Sequence, residues 1–336
     1  MVTDTSKSKM IAYWLFFCAF MVMMMTGIGA VTRLTESGLS ITEWNVISGT
    51  LPPLNTDAWL SEFEKYKTSP EYIKVNAGMS LDEFKNIYFW EWFHRFWGRL
   101  IGLAFAIPMI FFFIKKWIPK EDRLKYIGLL VLGASQGGIG WFMVKSGLVD
   151  RPSVSHFRLA THLSMALTIY CCLVWMGIRQ LKLSQISVPQ SLQRHGFISL
   201  FLVAVTIIWG AFMAGLDAGM IYNTWPLMGD AFVPPELGTQ PFFYDHASIQ
   251  FTHRILAYIT CTVVFAYGLR MMRHRMKLGS ALSVWVVIQV MMGIITILTV
   301  VAIPIATMHQ LGAVVMLTLL VYSLYISRPA ARVISS

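Results

Sequence analysis

Four of the eight histidines, His94, His162, His253 and His309, each stand about two turns inside a long apolar stretch, two in either half of the chain. Ionisable groups are costly within a membrane span, so such positions are functional candidates. A lone buried histidine is explained by an interhelical hydrogen bond. Four at one shallow depth, roughly 8–10 Å below a common boundary at 1.5 Å per residue, are not. Two imidazoles on facing helices can supply both axial ligands of a heme iron. Zinc or copper would want three or four donors together, and no third His, Cys or carboxylate completes such a set in both halves. The spacing therefore predicts two bis-histidine heme sites. Of the other histidines, His195 and His274 fall in basic connections and His246 in an opposite loop, where solvated surface explains them. His156 falls at the membrane boundary, where an interfacial hydrogen bond suffices.

Arginines accompany these positions. Arg95 and Arg99 are one turn apart, Arg158 is one turn before His162, and Arg254 follows His253. Guanidinium groups suit the bidentate pairing that heme propionates offer. Snorkelling to the interface accounts for each taken singly about as well. Glu91 precedes His94 by three residues and shares its helix face, whereas Gln250 holds that place before His253. A buried carboxylate costs free energy unless paired, and Arg95 or Arg99 could pair with it. A purely structural pair would not need an acid in one half and an amide in the other. The asymmetry assigns reaction to the first site and retention to the second.

The elements that must position these residues are membrane helices. Of 336 residues, 56% are hydrophobic and only 13% charged, too little charge for the surface of a soluble domain this long. Spans of sufficient length are expected near 11–31, 87–114, 126–144, 156–178, 197–215, 247–269, 280–301 and 304–326. The first is read as a retained span, since it is too long for a signal segment. The net charge of +10 resides in alternate connections: Lys7 and Lys9; Lys115 to Lys125; Arg179 to Arg194; Arg270 to Lys277; Arg328 and Arg332. That alternation excludes a nucleic-acid surface and puts both termini in the cytoplasm. The fold class expected is an all-α membrane protein of eight transmembrane helices, as two tandem parallel four-helix bundles. Cys18, Cys171, Cys172 and Cys261 lie within apolar stretches and read as inert thiols. In the long first outer loop, Trp59, Phe63 and Tyr66 follow Asn55 at helical spacing, predicting a short amphipathic helix on the membrane surface. Ser80 and Glu83 form a capping box that starts the second span.

The halves repeat one another. Gly29, Gly38 and Trp44 recur at one offset as Gly210, Gly219 and Trp225. His94-Arg95 matches His253-Arg254; Gln136 and Gly140 match Gln289 and Gly293; Thr161-His162 is echoed by Thr307 and His309. Their common order argues for duplication of a four-helix unit, with halves at 1–190 and 191–336 related by an axis along the membrane normal.

With these residues in place, the chain resembles the heme A synthase family from Gly29 to beyond His309. The resemblance is carried by Glu91-Trp92-Phe93-His94-Arg95, the outer segment Thr32 to Ser40, and the paired histidines. It implies an oxidoreductase of a bacterial cytoplasmic membrane that oxidises one methyl group of heme O to a formyl, giving heme A for cytochrome oxidase. It further implies a substrate site at His94 and His162, with Arg95, Arg99 and Arg158 nearby and Glu91 as the essential carboxylate. The resident cofactor, heme b, would be held by His253 and His309 near Arg254. Heme O synthase, cytochrome oxidase assembly factors and an unidentified electron donor or acceptor are the partners implied, besides membrane lipid. One branch of the family carries cysteine pairs in its outer loops. The first and third outer loops here contain none, so a thiol–disulfide relay is not carried over. The alternative is a di-heme b-type cytochrome exchanging electrons with quinone, which accounts less well for Glu91 against Gln250. A transporter would place charge near the bilayer centre, whereas these charges cluster at span ends.

Overall fold

The computed structural model describes residues 4–44, 48–148 and 152–329. Its helices are α1 (Asp4–Leu34), α2 (Thr56–Lys67), α3 (Pro70–Lys74), α4 (Leu81–Ile114), α5 (Arg123–Lys145), α6 (His156–Gln180), α7 (Gln190–Gly215), α8 (His246–Arg273), α9 (Leu278–Leu298) and α10 (Ile303–Ile326). Among the described residues, eight helices are long and apolar enough to cross a membrane: all but α2 and α3. They present large apolar side chains outward, including Phe17, Ile107, Leu124, Phe201 and Val284, each more than half exposed. Water would penalise such surface; lipid does not. The all-α, eight-span expectation holds. Arg332, one of the basic residues used for orientation, lies outside the described residues.

The helices divide into two compact units, one of Phe20–Ile169 and one of Met1–Ala19 with Tyr170–Ser336. In the second, a two-stranded pair of three residues each joins Ile186–Val188 (β1) to Ser327–Pro329 (β2) in parallel. Tyr170 bonds Thr318 at 2.7 Å and Trp175 packs edge-on to Tyr325, so the end of α6 runs in the same sense as α10. A Cβ on Gly268 would meet the Gly279 carbonyl oxygen at 2.6 Å, so α8 and α9 cross backbone to backbone. Small residues allow that approach where hydrocarbon offers no hydrophobic drive. The four cysteines are free, as expected.

In the first unit, α4 begins at Leu81, directly after the Ser80–Glu83 capping box expected to start it, so the helix extends from the outer loop into the span placed at 87–114. This extension changes the role of α2. Asn55 caps α2 through the Ala58 N–H at 2.8 Å, and Phe63 and Tyr66 then stack on Phe84 at 4.9 and 5.2 Å. Trp59 lies edge-on to Tyr88 at 5.0 Å. The apolar face of α2 is thus turned onto α4. Aromatic contacts of this kind contribute about 0.5–1.5 kcal/mol each beyond area burial. On α3, Glu71 is buried and accepts the Tyr66 hydroxyl at 3.0 Å, while Asn76 donates to the same hydroxyl at 2.7 Å. Burial pushes the Glu71 carboxyl up to about 8.

Candidate functional site

His162, His253 and His309 stand about two turns from the starts of α6, α8 and α10; His94 stands deeper in α4 because of its outer extension. Each imidazole packs against a glycine of the preceding spanning helix. A Cβ at Gly29 of α1 would come within 3.1 Å of His94 Cε1, and one at Gly140 of α5 within 3.0 Å of His162 Cε1. In the other unit the distances are 3.4 Å from Gly210 of α7 to His253 and 2.9 Å from Gly293 of α9 to His309. Glycine therefore makes room for the rings of His94, His162 and His309, while a Cβ at Gly210 would only touch His253 at ordinary contact distance. His94 lies within electrostatic reach of His162, and His253 of His309, so each unit holds one pair.

The donors around these rings repeat as well. Gln136 Nε2 is 3.1 Å from His162 Nδ1 and donates to the His162 carbonyl at 2.9 Å. Gln289 makes the same contacts to His309, at 3.2 and 2.9 Å. Among the described residues, no three His, Cys, Asp or Glu side chains come together as a metal cluster. A nitrogen-only pair of imidazoles backed by glycine fits the two axial positions of a heme iron and fits a four-ligand zinc site poorly.

Arg95 and Arg254 are engaged by backbone. Arg95 donates to the carbonyls of Ile41 and Glu43, both at 3.0 Å. Arg254 donates to those of Tyr222 at 3.1 Å and Thr224 at 3.0 Å, and also to Leu227. Ile41 and Glu43 precede Trp44 by the same steps as Tyr222 and Thr224 precede Trp225, so the two arginines clamp equivalent loops. The Arg254 Nε is buried with no hydrogen-bond partner. Arg158 stacks on the Phe142 ring at 3.7 Å and donates to the Phe142 carbonyl at 2.6 Å. Arg99 lines a cleft of about 310 Å³ with Arg95, Lys65, Tyr88 and Pro52.

Glu91 is almost wholly buried. Its Oε1 accepts from Arg95 at 2.6 Å, and its Oε2 accepts from the Ser40 hydroxyl at 2.8 Å and the Ile41 N–H at 2.7 Å. Arg95, one of the two candidates, is its partner. The segment reaching it is set by the end of α1, where Glu36 takes a left-handed φ of 51° and Ser37 N–H returns to the Thr32 carbonyl. That is a Schellman-type stop. Asp217 repeats the left-handed turn after α7 with φ 53°. Gln250, completely buried, donates to the Tyr222 carbonyl at 2.9 Å. Acid and amide thus bind the same point of their respective loops, one at the Ile41 N–H and the other at the Tyr222 carbonyl.

Among the remaining histidines, His195 departs from the expected solvated position. It is half-buried on α7, with Nε2 at 3.0 Å from the Val263 carbonyl and Nδ1 at 3.1 Å from Arg270. Ser40 and Ile41 were not singled out by the sequence as partners of Glu91, since they are distant along the chain. The glycines and glutamines were visible as repeat matches, but only the fold gives them a role.

The fold and its two histidine pairs define a multi-pass, all-α membrane protein with two candidate heme-binding units. Residues 12–321 match the family model described as cytochrome oxidase assembly protein. The chain belongs to that family. It is 48% identical to the heme A synthase of Rhodospirillum centenum, over 97% of this chain and 90% of that protein. It is 44% identical to the heme A synthase of Nitrosospira multiformis, over 92% and 91%. With the heme A synthase of Flavobacterium psychrophilum it shares 40% identity, over 95% and 98%.

Proposed function

We propose that this chain is a heme A synthase of a bacterial cytoplasmic membrane. It oxidises a methyl group of heme O to a formyl through successive hydroxylations, and so serves cytochrome oxidase assembly. The observation that supports the assignment of roles is the unequal pair: both units hold two imidazoles alike, yet three residues before the first histidine one carries the acid Glu91 and the other the amide Gln250. On this reading His94 and His162 face the substrate heme O, with Arg99 and Arg158 the basic groups nearest its propionates. His253 and His309 would hold heme b, which supplies one-electron relay when bound. Arg95 and Arg254 act first as clamps that close each outer loop over its site. The functional halves are 1–190 and 191–336, with both termini cytoplasmic, as the basic connections require.

Three donors converge on the Glu91 carboxylate. That geometry suits a fixed negative charge opposite positive charge developing at the methyl carbon better than it suits a proton carrier. Preorganised charge of this kind lowers a barrier without reorganising as the reaction proceeds. His94, three residues on, keeps the substrate's iron on the same helix face as that charge.

The shared latch role of Glu91 and Gln250 favours one second reading, a di-heme b-type cytochrome working with quinone. Hemes extracted from protein purified out of membranes separate the two. Heme b together with heme O or heme A supports the synthase. Heme b alone supports the cytochrome, and no heme at all overturns both.

A further inference from the structure

Within each histidine pair only one ring is held by a side-chain amide. Gln136 Nε2 reaches the backbone carbonyl and Nδ1 of His162 and lies 3.4 Å from its Nε2, while Gln289 reaches only the carbonyl and Nδ1 of His309. Their Oε1 atoms are buried without a hydrogen-bond partner. His94 has no such amide, since its Nδ1 is buried without a hydrogen-bond partner. The His253 Nδ1 is likewise buried without a hydrogen-bond partner.

An imidazole that ligates iron through Nε2 carries its proton on Nδ1 and is oriented by the acceptor it finds there. The oxygen and nitrogen of an amide occupy nearly interchangeable positions, so a half-turn of the side chain sets Oε1 against that proton. The His carbonyl that gives up the amide donor keeps its own helical N–H bond. The turn gives the buried Oε1 a donor in the ring N–H and carries the amide N–H groups to the place it leaves. We propose that Gln136 and Gln289 are positioning residues: each accepts a hydrogen bond from the Nδ1–H of His162 or His309 once iron is bound, making these the anchored ligands. His94 and His253 are then the exchangeable members of their pairs. At the first site this leaves the yielding ligand on the same helix as Glu91, where heme must enter and leave. The inference rests on the bis-histidine heme reading above.

The test uses the full-length protein in detergent, as wild type, Gln289→Met and Gln289→Glu. Methionine keeps length and packing without an acceptor; glutamate restores the acceptor. Heme b per protein, the low-spin ferric EPR signal and the midpoint potential are measured for each. Second-sphere partners of a metal-bound histidine are worth about 10- to 100-fold in affinity. The expected result for Gln289→Met is a roughly tenfold loss of ferric heme retention, which for a one-electron couple is a potential about 59 mV higher. Gln289→Glu is expected to recover retention and move the potential the opposite way. Unchanged potential and EPR signal in Gln289→Met, or equal shifts in both variants, overturns the proposal. A wild type lacking any low-spin bis-imidazole signal instead overturns the heme reading on which it rests. Should Gln289→Met fail to accumulate, Gln136→Met is measured, with the second heme as internal reference. Loss confined to the first site supports the proposal, and unaltered retention there overturns it.

Discussion

Glu91 and Arg95, one turn apart on α4, form a 2.6 Å ion pair that is mostly buried on both sides and is closed over by the loop running from Ser40 to Glu43. One pair of side chains therefore sets both a charge about one helical turn before His94 and the path of the loop from Ser40 to Glu43. A group in that position is open to direct test.

Replacing Glu91 with Gln keeps the size of the side chain and removes its charge. Formation of heme A is expected to stop while heme b stays bound, because the second unit is untouched. Wild-type heme A from that variant would sink the catalytic assignment. Removing one partner of a buried pair costs about 3–5 kcal/mol, so the outer loop should also become more protease-sensitive. Ser40→Ala, which leaves the ion pair in place, should lower activity far less.

The glycines behind the imidazoles predict a graded series. Alanine at Gly293, Gly140 and Gly29 would put a Cβ 2.9, 3.0 and 3.1 Å from a ring carbon, while at Gly210 the distance is 3.4 Å. Overpacking of this kind costs about 1–3 kcal/mol. The heme absorption band is expected to shift or fade most for Gly293→Ala and least for Gly210→Ala. An equal response at all four positions would contradict the cradle geometry.

The unequal roles of the pairs predict unequal losses. His253→Ala should abolish the heme b spectrum. His94→Ala should keep that spectrum and lose the substrate-derived heme in extracted pigment. Loss of heme b from His94→Ala alone would reverse the assignment of the sites.

Burial holds the Glu71 carboxyl up at about 8, against an ordinary value of 4.5. The folded outer cap then binds a proton that the unfolded chain releases near 4.5. Its contribution is fully present below that pH and is lost as pH rises toward about 8. Proteolysis of the segment from α2 to α3 should accelerate as pH rises across this window. Glu71→Gln should flatten the dependence, and a slope identical to wild type would refute the assignment.

Much of this was legible in the sequence for physical reasons. A bilayer admits few backbone solutions, so hydrophobic length alone reveals the spans. The Ser80–Glu83 box announced the start of α4, and its neighbours Trp59, Phe63 and Tyr66 announced α2. The partner of α2 was not legible: an apolar face reads the same whether it meets lipid or Phe84. His195 was misplaced for a related reason, since proximity to basic residues does not reveal the Val263 carbonyl that engages it.

By itself the sequence determined the class, the eight spans, the four histidines and the inequality of Glu91 and Gln250. These depend on composition and on spacing along one helix, which the 1.5 Å rise converts directly into depth. Only the tertiary structure decided that Arg95 and Arg254 clamp loop carbonyls, that Ser40 and Ile41 complete the grip on Glu91, and that glycines and two glutamines seat the imidazoles. Those contacts join residues far apart in the chain. Hydrogen bonds and close packing act over a few ångströms of space, whatever the number of residues between the partners.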